Sequence, residues 1–176
     1  VIASMSIEEI IPDLSGLQAP MYVAKGAEFA GVPQAGTRCR YRSCWPVTVR
    51  PWRLTKVHLE ALPAKPLELV MRFRTAEKAK LSDLDLDSVR FFLSGDPRTT
   101  FTLYLLLAAH VDFITVRAEG EGKRPSRTLE PEHVRPAGLA AEEGVLPYPD
   151  RSFLGYRLLQ EYFAFKDRFL FFDVDG

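Results

Sequence analysis

The sequence predicts an α+β fold of mostly antiparallel strands, about eight or nine of them, with two buried helices at about 97–109 and 153–165. Short runs in which apolar and polar residues alternate follow one another through the first half of the chain, with only turns between them. This succession favours antiparallel pairing, because parallel strands need long crossover connections. Two later runs are apolar around most of a helix circumference, which is typical of buried helices.

The strands are predicted from the two-residue period and from the turn residues that interrupt it. The cleanest alternation places Leu67, Leu69, Met71 and Phe73 against charged neighbours, as one arm of a hairpin within Leu54–Thr75. Prolines at 46 and 51 have no amide hydrogen to donate, so they indicate an edge or a bend. The predicted strands lie at 1–10, 22–29, 38–49, 56–61, 67–74, 84–93, 111–117, 128–135 and 169–172.

The first helix has a clear start signal. Asp96 can accept hydrogen bonds as an N-cap, and Pro97 suits the first helical position because its missing amide would be unpaired there anyway. The residues from Phe101 to Ala109 are apolar on nearly every side, so we expect this helix to be buried.

The second helix follows a proline-rich segment, with Ser152 expected as its N-cap. Its apolar residues cover an arc of roughly 200° at the helical spacing, and the remaining arc holds Arg157, Gln160, Glu161 and Ala164. We therefore expect the helix to be nearly enclosed, either by its own domain or by another chain. The wholly apolar run Phe169–Phe172 predicts a central strand after it.

At 176 residues the chain can bury a substantial core. We expect a single β-rich fragment over 1–176, which can divide into two subdomains, 1–95 mostly β and 96–176 mixed. The sequence begins at Val1 without methionine and ends just after an apolar strand, so we expect it to be excised from a larger protein.

Composition disfavours several classes of partner. Lys plus Arg and Asp plus Glu both number 23, so no positive net charge attracts nucleic acid or an anionic membrane. No apolar run reaches the ~20 residues needed to span a bilayer. Cys39 and Cys44 are an odd number of residues apart, which puts them on opposite faces of a strand. We expect two reduced, buried thiols rather than a disulfide.

We predict no catalytic residue, no cofactor and no metal site. Asp83, Asp85 and Asp87 resemble the start of a calcium loop, but Ser88 and Ser94 stand where such a loop requires glycine and glutamate. The three histidines, at 58, 110 and 133, have no metal-ligand spacing with each other or with the cysteines. Around Ser94-Gly95-Asp96 the glycine pattern of a nucleophile elbow is missing. The sequence therefore favours a protein that is not an enzyme.

An alternative function comes from a row of arginines. Arg38, Arg40 and Arg42 alternate along one predicted strand and share a face, as in β-modules that bind single-stranded nucleic acid. Tyr41 lies on the opposite face, so stacking and charge do not coincide. The ordinary interpretation is a row that faces solvent or a partner.

Three segments carry a resemblance to a known family. The last, "LPYPDRSFLGYRLLQEYFAFKDRFLFFDV", and the two earlier blocks at 39–49 and 89–96 resemble TssF (also called ImpG or VasA), the baseplate subunit of the bacterial type VI secretion system. The family usually has Pro-Pro-Arg-Ser-Phe and Phe-Pro-Glu-Lys-Phe. Here Asp150 replaces the second proline, and Lys166-Asp167-Arg168 replaces Pro-Glu-Lys. In order and spacing the blocks cover almost the whole chain.

The resemblance implies a structural role in a baseplate wedge that serves as the assembly platform of the contractile tail. It implies two TssF copies with one TssG, and contacts with TssK, TssE and the spike hub. It also implies the bacterial cytoplasm, with the baseplate docked at the inner-membrane complex, and no nucleic-acid partner or membrane insertion. The family has no catalytic residues to transfer.

Overall fold

A computed structural model describes residues 5–31, 33, 35–119, 126–147, 149, 151 and 153–176. The α+β class is confirmed. The described residues contain two α-helices and eleven strands rather than eight or nine, because three of the predicted strands are each divided in two by turns. The described residues form two compact units, one within 8–85 and one within 86–176 together with residues 5–7.

The unit of residues 8–85 consists of three two-stranded antiparallel ribbons, β1 with β4, β2 with β3 and β5 with β6. The long β5–β6 hairpin matches the prediction for Leu54–Thr75, with Leu59 opposite Leu69 and a bulge after Leu54. The strands are β1 Met21–Val23, β2 Glu28–Ala30, β3 Arg40–Arg42, β4 Val47–Val49, β5 Trp52–Glu60 and β6 Glu68–Thr75.

The small core of this unit contains one charged residue. Val49, Ala76 and Leu84 are buried, and Arg50 is buried with them. The Arg50 Nε donates to the carbonyl oxygens of Leu84 (3.1 Å) and Asp85 (2.9 Å). Burial lowers the pKa of Arg50, and the nearby Asp85 carboxylate partly opposes this.

The second unit is built on a three-stranded antiparallel sheet with the order β10–β11–β7. The terminal apolar run therefore lies in a central strand, as predicted, but the strand begins at Phe171 because 166–169 form a 3₁₀ turn. The remaining strands β8 and β9 pair as a separate hairpin. The elements are β7 Ser88–Phe92, α1 Pro97–Ala109, β8 Ile114–Arg117, β9 Ser126–Leu129, β10 Val134–Pro136, α2 Leu154–Phe165 and β11 Phe171–Asp175.

The core of this unit is centred on Phe172 of β11, which is almost fully buried. Tyr104 of α1 packs edge-on against it, with ring centroids 5.0 Å apart. The Asp96 cap is confirmed, since its carboxylate accepts the Thr99 amide at 3.1 Å. Burial raises the pKa of Tyr104, because the charged phenolate would lose its hydration.

The described residues bury neither helix fully, so the prediction is wrong for the first helix, while enclosure of the second helix by another chain stays a prediction. In α1 only Thr100 is buried, while Phe101 and Leu105 are 47% and 57% exposed. One sheet covers one side of a helix, so a helix that is apolar all round leaves its far side exposed. The second helix is described below.

Two smaller predictions are also wrong. Residues 5–10 form no strand, and the rest of the predicted strand, at 1–4, lies outside the described residues. Cys39 and Cys44 are free thiols, but both are exposed. The strand β3 belongs to a ribbon of only two strands, and neither of its faces is covered by the unit's core.

Candidate protein-interaction surface

The helix α2 carries its charged residues on the inside. Arg157 and Glu161 are 2% and 0% exposed, although the sequence pattern places both on the arc that its apolar residues leave free. The width of the apolar arc therefore does not decide which side of this helix faces inward. Here the inner side of the helix meets a loop of residues 138–146, the connecting loop, whose polar backbone groups require charged or polar partners.

Glu161 joins the helix to the connecting loop. Its Oε1 accepts the backbone amides of Val145 (2.9 Å) and Leu146 (3.2 Å). Its Oε2 forms an ion pair with the Arg168 guanidinium, and the Arg157 Nη1 lies 4.0 Å from the same oxygen. We call these three side chains, Arg157, Glu161 and Arg168, the buried charge cluster.

Both arginines also donate to carbonyl oxygens of the same loop. Arg157 donates to Leu139, Ala140 and Ala141, at 3.3, 2.9 and 3.3 Å respectively. The Arg168 Nη2 donates to Gly138 (2.8 Å) and to the backbone oxygen of Glu143 (3.0 Å). Two cations and one anion are buried together, and the loop carbonyls supply the additional negative potential that this arrangement needs.

The sheet is joined to the same loop through Glu143. Its Oε2 accepts the amides of Gly138 (2.8 Å) and Ala140 (3.1 Å), and its Oε1 accepts from Arg90 of β7 (2.8 Å). Arg90 also forms two hydrogen bonds with Asp173 of β11, at 2.7 and 2.6 Å. These bonds, with the two carboxylate charges, raise the pKa of Arg90.

Gly138 is required by the close approach of Arg168. Its φ of +91° lies in the left-handed region that favours glycine. A Cβ atom there would lie 3.2 Å from the Arg168 Nη2 and 3.4 Å from its backbone oxygen. The loop therefore accepts the buried guanidinium only where no side chain stands in the way.

With its polar side fixed inward, α2 presents aromatic and aliphatic side chains outward. Five of them are between 49% and 83% exposed, and we call them the outward face of α2: Phe153, Tyr156, Leu159, Tyr162 and Phe163. Phe153 occupies the N-cap position, without a side-chain cap, and the predicted cap Ser152 lies outside the described residues. Edge-to-face pairs join Phe153 to Tyr156 (5.7 Å) and Tyr162 to Phe163 (5.5 Å).

The arginine row of the alternative hypothesis is exposed as expected, but part of its charge is paired. Arg40 and Arg42 lie on β3, and the Arg42 Nη2 is 2.9 Å from the carboxylate of Glu28 across the ribbon. Tyr41 lies on the other face, over Gly31. Arg38 precedes the strand and is exposed. The structure thus places Arg40 and Arg42 on one strand, with Arg38 exposed just before it.

Four of the other residues considered from sequence, Asp83, Asp85, His110 and His133, have local structural roles. Asp83 accepts from Ser82, and the backbone oxygen of Asp85 binds Arg50. His133 lies with its Nδ1 2.7 Å from the Asp175 carbonyl oxygen, so this nitrogen carries the proton. His110 is the C-cap residue of α1. Across the described residues, no group of three or more His, Cys, Asp or Glu is arranged to hold a metal ion.

Sequence reasoning missed the buried charge cluster, although one signal was present. Arg157 and Glu161 are one helical turn apart and are the only charged residues between Phe153 and Phe165. Two residues of opposite charge, one turn apart on an otherwise uncharged helix, can form an ion pair with each other. Such a pair is compatible with a buried side of the helix as well as with a side that faces solvent.

Among the described helices, none is both long and apolar enough to cross a membrane.

The comparisons with known proteins agree with the resemblance. A family model described as "Type VI secretion system, TssF" matches residues 1–176. The chain is 30% identical, over 98% of its length and 30% of the relative's, to "Type VI secretion system component TssF1" of Pseudomonas aeruginosa.

A solved structure of a TssK-TssF-TssG baseplate subcomplex of the type VI secretion system contains a chain with the same fold. The TM-score is 0.77, with 28% identity over 94% of this chain and 31% of the other. This chain thus spans less than a third of the length of each relative. Because the family model matches its whole length, the chain belongs to the TssF family of the type VI secretion system.

Proposed function

We propose that this chain forms part of a structural subunit in the baseplate of a bacterial type VI secretion system. The observation that carries the proposal is its likeness, at a TM-score of 0.77, to a chain of a TssK-TssF-TssG baseplate subcomplex. The full-length match to the TssF family model supports it. In this role the protein contributes shape and contact surface to the assembly platform of the contractile tail.

The partners that we propose are TssG and TssK, because these two proteins assemble with TssF in the solved relative. The family resemblance leads us to extend the proposal to two TssF copies with one TssG in a wedge, and to contacts with TssE and the spike hub. It also supports a location in the bacterial cytoplasm, with the baseplate docked at the inner-membrane complex.

We infer that the protein works without catalysis. The structural role of its family in a multi-protein assembly supports this inference. Two surface depressions, of about 240 and 320 Å³, are lined mainly by apolar side chains, each with a single carboxylate, Glu132 and Asp13. One carboxylate among aliphatic neighbours does not supply the acid–base or nucleophile–base pairs on which hydrolytic sites rely.

The test is co-expression of the full-length protein with TssG and TssK of the same bacterium, with an affinity tag on TssG. We expect the three proteins to purify together, and light scattering to give a mass with two TssF copies for each TssG. A stable complex with a one-to-one ratio would contradict the proposed stoichiometry. If both partners are folded and this protein does not copurify, the proposed function is wrong.

A further inference from the structure

The outward face of α2 lacks charge as well as being exposed. Between Phe153 and Phe165, all of which are described residues, the two charged side chains are Arg157 and Glu161, and both are buried. The other exposed residues beside the outward face are Leu154, Gln160 and Ala164. Surface helices of soluble proteins normally place their charged residues toward water, so this polarity is reversed.

The reversed orientation is fixed by the polar contacts of the inner side. A rotation of α2 that turned the aromatic residues inward would expose Arg157 and Glu161 and would break their bonds to the connecting loop. Leaving such buried partners unsatisfied is strongly unfavourable. The helix therefore cannot hide its apolar side by a small rearrangement within this unit.

The size of the exposed surface suits a protein partner. Four aromatic residues and a leucine, each half to four-fifths exposed, present on the order of 500–700 Å² of side-chain surface. The largest apolar patches on monomeric proteins are about 300–600 Å², and a standard interface buries about 800 Å² on each partner. Exposed aromatic residues in pairs are also typical of binding hot spots.

The pattern of the face indicates the chemistry of what covers it. Tyr156, Leu159 and Phe163 follow a spacing of three and four residues, which forms a ridge of the kind that packs into the groove of another helix. Since the ridge carries no charge, a partner that placed a charge against it would lose hydration without gaining an ion pair. Helices that lie on membranes carry Lys or Arg along their polar side, and here the single arginine of α2 is buried.

We propose that the outward face of α2 is a docking surface for another protein subunit, which covers it with an uncharged, aliphatic-rich helix face. This inference rests on the proposed function, because it takes the covering subunit to be a neighbour in the baseplate. It adds to the proposed function which surface of this protein makes the contact and what kind of side chains the partner contributes.

The first test uses a photoreactive side chain in the reconstituted complex with TssG and TssK. Phe163→p-benzoylphenylalanine should crosslink to one of these two partners, through a peptide that is apolar at helical spacing. The matched control is the same replacement at Phe113, which is 57% exposed and lies outside α2, and we expect at least tenfold less product there. A crosslink within the same chain, to a second copy or to a charged segment, would overturn the proposal.

The second test measures association directly. The double variant Leu159→Ser, Phe163→Ser should bind the partners at least tenfold more weakly, since exposed anchors of this kind carry much of an interface's affinity. Its thermal midpoint should stay near the wild-type value, because both side chains are exposed. Phe113→Ser should leave binding unchanged, and the wild-type affinity should change less than threefold between 0.1 and 0.5 M salt.

The outcomes separate this inference from the proposed function. If the wild-type complex does not form, the proposed function fails. If it forms and the double variant binds equally well, only the docking surface is wrong. Salt-sensitive binding would contradict the uncharged partner face, and binding of the wild-type protein to vesicles of phosphatidylcholine and phosphatidylglycerol would show that a membrane, not a protein, covers the face.

Discussion

Two groups of arginines in this protein have opposite surroundings. Arg38, Arg40 and Arg42 lie on or beside a two-stranded ribbon and are exposed, and the pair of Arg42 with Glu28 has both side chains more than half exposed. Arg157 and Arg168 are almost fully buried and bind a glutamate and backbone carbonyls. The regular row, which suggests a binding site, lies on and beside an exposed strand. The two arginines that are isolated in the sequence instead join a helix to a loop.

The difference follows from what surrounds each group. A ribbon of two strands has no covered face, so its arginines keep their hydration and pair weakly. The connecting loop brings several backbone carbonyls and amides to one place under α2, and a guanidinium with five donors can satisfy many of them together. In this protein, the arginines that are buried are those that lie near several backbone groups without a backbone partner. A sequence pattern does not show where such groups lie in space.

The largest effect is expected from Glu161→Ala. This change removes the only carboxylate of the buried charge cluster, so Arg168 loses its ion-pair partner and the amides of Val145 and Leu146 lose their acceptor. Breaking a buried ion pair by removing one partner typically costs about 3–5 kcal/mol of unfolding free energy. Chemical denaturation of the variant and the wild-type protein at pH 7 measures this loss of unfolding free energy.

The control for this prediction is Glu142→Ala, because Glu142 is exposed on the neighbouring 3₁₀ turn. Its removal should change the unfolding free energy by less than about 0.5 kcal/mol. Equal effects of the two variants would show that the buried cluster does not stabilise the fold.

Arg168→Lys should have the next largest effect. Lysine keeps the charge but cannot reach Glu161 and the carbonyls of Gly138 and Glu143 with a planar fork, so we expect a loss of about 2–3 kcal/mol. Thermal unfolding followed by circular dichroism compares the midpoint of this variant with that of the wild-type protein. Arg42→Lys, the matched change in the exposed row, should leave the midpoint unchanged, and a similar loss there would contradict the contrast between the two groups.

Arg90→Ala should have an intermediate effect, because its guanidinium is about a third exposed and binds two carboxylates. We expect the unfolding free energy to fall by about 1–2 kcal/mol. A double-mutant cycle with Asp173→Ala measures the coupling. The more exposed pair Arg135–Asp175 provides the reference. If the coupling energy of Arg90 with Asp173 is no larger than that of Arg135 with Asp175, partial burial does not strengthen the ion pair of Arg90.

The smallest effect is expected in the arginine row. Arg42→Ala should change the unfolding free energy by less than about 0.5 kcal/mol, since exposed pairs contribute little and are screened by salt. The triple variant at 38, 40 and 42 should remain folded. If the wild-type protein binds single-stranded oligonucleotides in a salt-dependent way and the triple variant does not, the row is a nucleic-acid site.

The sequence was informative where local chemistry decides the structure. The start of α1 at Pro97 with its Asp96 cap, the long β5–β6 hairpin and the central position of β11 were all predicted from residue patterns. The orientation of α2 was not, because apolar periodicity shows which residues share a side but not what that side meets. Its inner partners lie 15–18 residues away in the connecting loop, with no period of their own.

Four backbone amides of the connecting loop donate to glutamate side chains rather than to other backbone groups. Gly138 and Ala140 donate to Glu143, and Val145 and Leu146 donate to Glu161. Hydrogen exchange at these amides requires the two carboxylates to leave, and each carboxylate is itself held by a buried or half-buried arginine. The four protons should therefore exchange with α2 and the sheet as a single cooperative unit, which makes an irregular loop as slow to open as the secondary structure beside it.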